Sequence, residues 1–305
     1  VLIALLITAI FSFNYIASNE LDKTATKASY NLHTIKSLQE NQVDFLKNVV
    51  FQLNSETELQ RFIMDKNDLS KQFLINNWIN VSEQLQWIHQ IRYINKAGYE
   101  LLKVQYDSES GIAERVDAVQ NKQASEYFQQ SKELLQNQVY ISAINLNREY
   151  NELSYPLTPV LRIAMPVYQS TGQVAGYIVV NFFAEKLLTL INDVTFNFPG
   201  HSLLLDQQGN YLQGYKREQN WAFETGDNEV ENFSEQYPNT WQALQQDEGE
   251  YTTDRDRFIF RYLDFVDNVG QEQRYYLVQH ITLDDVDQQY GEQISNLYIL
   301  FPLLF

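Results

Sequence analysis

Residues 203–212 read Leu203-Leu204-Leu205-Asp206-Gln207-Gln208-Gly209-Asn210-Tyr211-Leu212, and residues 93–101 read Tyr93-Ile94-Asn95-Lys96-Ala97-Gly98-Tyr99-Glu100-Leu101. Each is an apolar run, an Asn/Asp-x-x-Gly turn and a second apolar run, the pattern of a β-hairpin whose glycine takes the positive-φ position. Meeting the unit twice is a weak internal repeat. Working outward from the first copy, Ile91 leads into it, and Leu102 and Val104 extend it. A polar stretch from Asp107 to Gln136 follows, with a helix predicted over Ser125 to Leu135. Strands are then predicted over Val139 to Ile144, Leu161 to Tyr168 and Tyr177 to Phe183, and Glu149 to Pro159, which carries two prolines, reads as a loop. The second copy is followed by a helix near Pro238 to Gln246 and strands over Glu250 to Thr253, Phe258 to Phe265 and Arg274 to Ile281. Hairpin, helix-bearing connection and three-stranded run thus recur, and the predicted fold class is α+β with two tandem modules, each an antiparallel sheet flanked by helices.

Upstream, Ala17 to Leu53 holds no Gly or Pro and sets Leu32, Ile35, Val43, Leu46, Val49 and Leu53 at mostly helical spacings. This predicts a long N-terminal helix, narrow enough in its apolar stripe to pair with a second copy of itself. A second helical pattern, Phe73, Leu74, Trp78, Val81 and Leu85, follows a polar Lys66-Asn67-Asp68 break. Before Glu20 no residue is charged, a length that suits a transmembrane helix. Nothing after Glu292 is charged either, which reads as a helix over Leu283 to Tyr298 entering a second, truncated membrane segment. The expected division is 1–19 transmembrane helix, 20–72 helical region, 73–195 membrane-distal module, 196–281 membrane-proximal module, and 282–305 return to the membrane.

The net charge of -17 excludes a nucleic-acid partner, because phosphate binding needs concentrated Lys and Arg. The chain has no Cys, so disulfides and thiol nucleophiles are excluded together. No Gly-rich phosphate loop, Gly-x-Ser-x-Gly elbow or His-Glu-x-x-His motif occurs, so no catalytic residue is nominated and an enzyme is not expected. His33, His89, His201 and His280 show no ligand spacing; neither a metal nor a cofactor is expected. Asp254-Arg255-Asp256-Arg257 reads as a self-compensating turn, and Asp284-Asp285-Val286-Asp287 as acids favouring a helix N-terminus.

Several stretches, taken as a set in this order, resemble a known family. They are Gln90-Ile91-Arg92-Tyr93-Ile94 with Gly98, Val139-Tyr140-Ile141-Ser142 with Leu146-Asn147-Arg148-Glu149, Pro159-Val160-Leu161-Arg162 with Pro166-Val167, and the 204–212 hairpin followed by Trp221. The family is the tandem periplasmic sensor domains called double Cache, or double PAS-like, of bacterial histidine kinases, diguanylate cyclases and chemoreceptors. The resemblance implies a long helix spanning two stacked antiparallel sheets, with the distal module usually binding the ligand. The tyrosine, arginine, tryptophan and aspartate pattern of the amino-acid-binding branch is not evident here, so an amino-acid ligand is not supported.

Along Leu161 to Tyr168, alternation sets Leu161, Ile163, Met165 and Val167 against Arg162, Ala164, Pro166 and Tyr168. Arg162 beside the small Ala164 is placed to meet an anionic ligand group; a structural pairing with Glu149 is the alternative. Arg92, Tyr93 and Lys103 on the first hairpin are nominated with it, or else are ordinary strand residues and charges. Tyr140, Ser142, Asn145 and Asn147 offer hydrogen bonds next to those charges, or cap loops and solvate an edge. The expectation is the periplasmic sensing region of a homodimeric receptor anchored in the inner membrane through both terminal helices. It would bind a small solute, anionic where Arg162 meets it, and pass a signal inward to a kinase, cyclase or chemoreceptor output outside this chain. The alternatives are a sensor of a periplasmic binding protein, or a dimerisation module without a ligand.

Overall fold

The computed structural model describes residues 2–65, 67–227, 229–253, 256–285 and 288, with the side chains of 2–14, 16 and 17 left aside. Asp254 and Arg255 of the expected turn, Val286 and Asp287 of the expected helix start, and nearly all of the expected second membrane segment lie outside the described residues. Among the described residues no helix is long and apolar enough to cross a membrane.

Helix α1 covers Leu2–Ser55, an uninterrupted run of 54 residues. Its apolar stripe goes into the chain's own core: Leu32, Ile35, Val43, Leu46, Val49 and Leu53 are all buried. That corrects the expectation that this stripe pairs with a second copy, since burial against the same chain removes those side chains from reach. Two compact units result, each made of separated segments. Unit 1 comprises residues 1–38, 190–263 and 274–305, and unit 2 residues 39–189 and 264–273.

In unit 2, α1 is followed by α2 (Thr57–Asp65) and α3 (Asp68–Leu85). α3 begins where Asn67 Oδ1 accepts from Ser70 N at 2.8 Å, which satisfies one of the orphan donors of a helix start. The strands are β1 (Ile88–Asn95), β2 (Glu100–Asp107), β3 (Ile112–Arg115), β4 (Tyr140–Ile141), β5 (Asn145–Leu146), β8 (Pro159–Tyr168) and β9 (Val174–Phe183). They form one seven-stranded sheet in the order β3-β2-β1-β9-β8-β4, with β5 also on β8. Between β5 and β8, β6 (Arg148–Glu149) and β7 (Glu152–Leu153) pair only with each other. The expected loop over 149–159 is therefore in part a miniature hairpin. Helices cover one sheet face, where Phe62 of α2 meets Tyr93 edge-on at 5.9 Å. On the other face lies the short α4 (Glu126–Ser131), whose Phe128 shares an apolar cluster with Ile94, Tyr140, Ala164, Tyr177 and Val179. α5 (Glu185–Thr195) begins in unit 2 and continues into unit 1.

Unit 1 holds β10 (His201–Leu205), β11 (Tyr211–Gln213), α6 (Ala222–Thr225), α7 (Phe233–Gln236), α8 (Pro238–Leu244), β12 (Glu248–Thr252), β13 (Asp256–Val266) and β14 (Glu272–Thr282). Its sheet runs β11-β10-β14-β13-β12 around Leu203, Leu205, Tyr211, Phe233, Phe258 and Val278. The repeat is physical as well as lexical. Asn95 Oδ1 accepts from Ala97 N and Tyr99 N, and Asp206 Oδ1 from Gln208 N and Asn210 N, all at 2.8–3.0 Å. Gly98 and Gly209 sit at φ +91° and +84°, where a side chain carries a steric cost. The molecule is α+β: a long N-terminal helix with antiparallel sheets flanked by helices.

Candidate functional site

Strand register in unit 2 assembles the candidate site. Gln105 lies opposite Gln90, Gln90 opposite Asn181, and Asn181 opposite Arg162. Arg162 in turn is joined to Ser142 by two hydrogen bonds, since Ser142 N donates to Arg162 O at 2.9 Å while the side-chain Oγ of Ser142 accepts from Arg162 N at 3.0 Å. A polar row thus crosses the sheet. The next row reads Lys103, Arg92, Val179, Ala164, Tyr140. Side chains on one face of a sheet repeat every second residue, so both rows face the same side as α4, away from α2 and α3.

These polar groups are buried. Gln90 and Asn181 are fully covered, and Arg92, Glu100, Lys103, Asn147 and Arg162 are nearly so. Burying charge is costly unless partners replace the lost water, and here they do. Arg92 Nη1 donates to Asn181 Oδ1 at 3.0 Å and Nη2 donates to Gln90 Oε1. Arg92 Nε lies 3.0 Å from Glu100 Oε1 as an ion-pair contact without hydrogen-bond alignment. Asn181 Nδ2 donates to Asn147 Oδ1 at 3.2 Å, and Asn147 Nδ2 to Ser154 Oγ at 2.9 Å. Arg162 Nη1 donates to Asn145 Oδ1, and its guanidinium lies 5.9 Å from the centre of the Tyr127 ring.

Glu149, weighed from sequence as a partner for Arg162, has its carboxylate on another set of donors. Its Oε1 accepts from Lys103 Nζ at 2.9 Å and Gln90 Nε2 at 2.8 Å and lies 3.6 Å from Arg92 Nη2; its Oε2 accepts from Gln120 Nε2. Burial pushes the Glu149 carboxyl up, but Arg92 and Lys103, with the hydrogen bonds from Lys103 and Gln90, outweigh it and hold the group at about 2. Burial, then the charge of Arg92, pulls the Lys103 ammonium down. Lys122 is pulled down for the same two reasons, and its Nζ donates to Gln120 Oε1 at 2.7 Å. Arg92, Lys103 and Lys122 are three cations against the two carboxylates Glu100 and Glu149, so the cluster is net positive within a chain of net charge -17.

Of the residues nominated from sequence, Arg92, Lys103, Ser142, Asn145, Asn147 and Arg162 come together on this face. Tyr93 does not. Adjacent strand residues point to opposite faces, and its ring packs against Phe62 on the helix side. Tyr140 lies on the site face, with its OH donating to Glu126 Oε1 at 3.0 Å. The space expected beside Ala164 is filled by the apolar cluster that includes Tyr140 and Phe128. Gln90, Glu100, Gln120 and Asn181 were not nominated. A signal for one of them was present, because Asn181 is the single polar residue in the run Tyr177 to Phe183.

The sequence matches the family model described as bacterial histidine kinase, sensor domain, over residues 23–278. Among solved structures, the extracellular domain of vpHK1S-Z8, assigned as a histidine kinase, is 24% identical with a TM-score of 0.81, covering 92% of this chain and 99% of that one. A domain of a Vibrio parahaemolyticus protein assigned to the sensory box/GGDEF family is 24% identical with a TM-score of 0.79, covering 88% and 99%. The ligand-binding domain of the Pseudomonas fluorescens chemoreceptor CtaA, in complex with L-isoleucine, is 8% identical with a TM-score of 0.55, covering 89% and 98%. At these identities the likeness is one of fold. No curated protein sequence matches.

Proposed function

We propose that this chain, which belongs to the bacterial histidine kinase sensor domain family, binds a small anionic solute on the cationic face of unit 2 and relays its presence across a membrane. The family is extracytoplasmic and not itself catalytic. The observation that carries the anion is the buried polar row with its net positive cluster. A stable sheet would be made more simply by apolar residues at Gln90, Arg92, Asn181 and Arg162, and a cationic cluster in an acidic molecule draws anions selectively. The L-isoleucine of the CtaA complex carries a carboxylate, the group this face is suited to receive; the rest of the solute is chosen by the cluster around Tyr140 and Phe128. In this reading the distal module spans 73–195 and the proximal module 196–281, and both ends of the chain tether it to a membrane.

Relay requires only that the solute bind one arrangement better than the other, by about 1–3 kcal/mol of coupling. A homodimer would present two such receptors side by side. Its seam is placed on the solvent side of α1, where Leu38 and Phe45 stand exposed one heptad apart.

The test is a thermal-shift screen of the purified chain against carboxylate, phosphate, sulfonate, neutral and cationic metabolites, repeated with Lys103→Met and Arg162→Ala. The expected result is a carboxylate that raises the melting temperature of the wild type and loses its effect in Lys103→Met, in Arg162→Ala or in both. Stabilisation by cations or neutral solutes alone, or an anion effect untouched by both variants, would sink the reading.

A further inference from the structure

Glu149 differs from Glu100, the other carboxylate of the cluster, in how it arrives. Glu100 belongs to β2 in the main sheet, and its side chain is fully buried. Glu149 belongs to the β6–β7 hairpin, which has no strand pairing to that sheet, and its side chain keeps 24% of its exposure. The hairpin turns through Tyr150 and Asn151, both at positive φ (53° and 67°), the conformation of a two-residue hairpin loop that residues other than glycine adopt at a cost. Backbone bonds from Asn147 N to Thr158 O and from Ser154 N to Asn147 O close its base. Towards its tip, the contacts to the sheet face run through the Glu149 carboxylate and through Tyr150 N, which donates to Gln120 Oε1 at 3.1 Å. One carboxylate on a mobile-sized element thus collects an ammonium, a guanidinium and two amides, a donor set that a free carboxylate would equally satisfy.

We propose that Glu149 is a built-in occupant of the anion seat, and that the solute's carboxylate takes its place on Lys103, Arg92, Gln90 and Gln120, freeing the β6–β7 hairpin to move. This rests on the anion-sensing function proposed above and deepens it, by naming the chemical group recognised and the element its binding displaces. Exchange of one carboxylate for another leaves the buried cations paired in both states, so the swap avoids stranding a buried charge. The differential affinity needed for signalling then comes from the rest of the solute and from the released hairpin.

The experiment is thermal denaturation of the wild-type chain, Glu149→Ala and Glu149→Gln in sodium acetate or formate, against sodium chloride at equal ionic strength. With its internal anion removed, Glu149→Ala is expected to melt about 3 °C higher in acetate than in chloride, a gain larger than the wild type shows. Adding Lys103→Met is expected to abolish that gain. Glu149→Gln keeps the shape of the side chain and is expected to show the same preference at smaller size, so it stands in should the alanine variant fail to fold. Equal melting temperatures in acetate and chloride, in whichever of the two variants folds, would overturn the inference. If the wild type takes up a carboxylate metabolite in an Arg162-dependent way while the Glu149 variants ignore acetate, the seat assignment falls and the proposed function stands. Acetate rescue with no metabolite taken up would support the seat and count against the solute reading.

Discussion

At the scale of single residues, His89 gives the chain an acid sensitivity that can be signed. Burial, and after it the charge of Arg92, lowers its imidazole from the ordinary 6.5 to about 4. The folded state therefore refuses a proton that the unfolded chain accepts, and stability declines as pH falls from 6.5 towards 4. Glu149 acts with the same sign further down, its contribution lost as pH falls from 4.5 towards 2. Melting curves between pH 7 and 4 are expected to show a shallower decline in His89→Gln than in the wild type; parallel curves would mean the imidazole is not held neutral. His280, lowered chiefly by burial and set 3.1 Å from Asp256 Oδ1 and 2.9 Å from the Tyr215 hydroxyl, leaves part of the decline in that variant. Of the basic members of the candidate site, Arg92, Lys103 and Arg162 were legible, because they are conspicuous in strands of an acidic chain; Lys122, in a loop, was not. Gln90 and Asn181 were not, and Tyr93 was assigned to the wrong face. Strands β1, β8 and β9 are buried on both sides, which removes the polar alternation that tells one face from the other. The row itself exists only once strands distant in sequence are paired in register.

At the scale of elements, the two Asx-x-x-Gly hairpins were legible because their chemistry is local: a side-chain oxygen, two backbone amides and a glycine within five residues. A Cβ at Gly98 would fall 2.7 Å from the backbone of Gln123 as well as demanding positive φ. Gly98→Ala is expected to cost about 2–3 kcal/mol in urea denaturation, and a loss below about 0.5 kcal/mol would show that the turn relaxes freely. The helix α5 went unread, and α2 was covered only by an undivided helical region over 20–72: each is short, and its apolar face is chosen by partners remote in sequence. α1 was read correctly as a helix and wrongly as to its free face, since a stripe of Leu, Ile and Val looks alike whether it meets its own sheet or another chain. Cysteines at Leu38 and Phe45 are therefore expected to crosslink between copies, while cysteines at Leu46 and Val49 stay unreactive. The reverse pattern would place the dimer seam back on the buried stripe.

At the scale of the whole molecule, a net charge of -17 means that carboxylates repel one another across most of the surface. Raising sodium chloride from about 10 to 300 mM shortens the range of that repulsion from roughly 30 Å to under 10 Å, so the melting temperature of the chain is expected to rise over this interval. A fall would show that ion pairs such as Arg257 with Asp22 and Glu250 outweigh the general repulsion. Tandem architecture was legible from the repeated hairpin, but the course of the chain between units was not, because compactness is decided by contacts among remote segments. That course has a consequence for how such receptors diversify. Unit 2 is encoded in two stretches, 39–189 and 264–273, and Val139 N donates to Asn268 Oδ1 within it at 3.2 Å. A gene-level exchange of the longer stretch alone would import unit 2 without its own hairpin tip. Lineages that swap specificities by recombination must therefore carry both stretches together, or else change their ligand one substitution at a time on a sheet that stays in place.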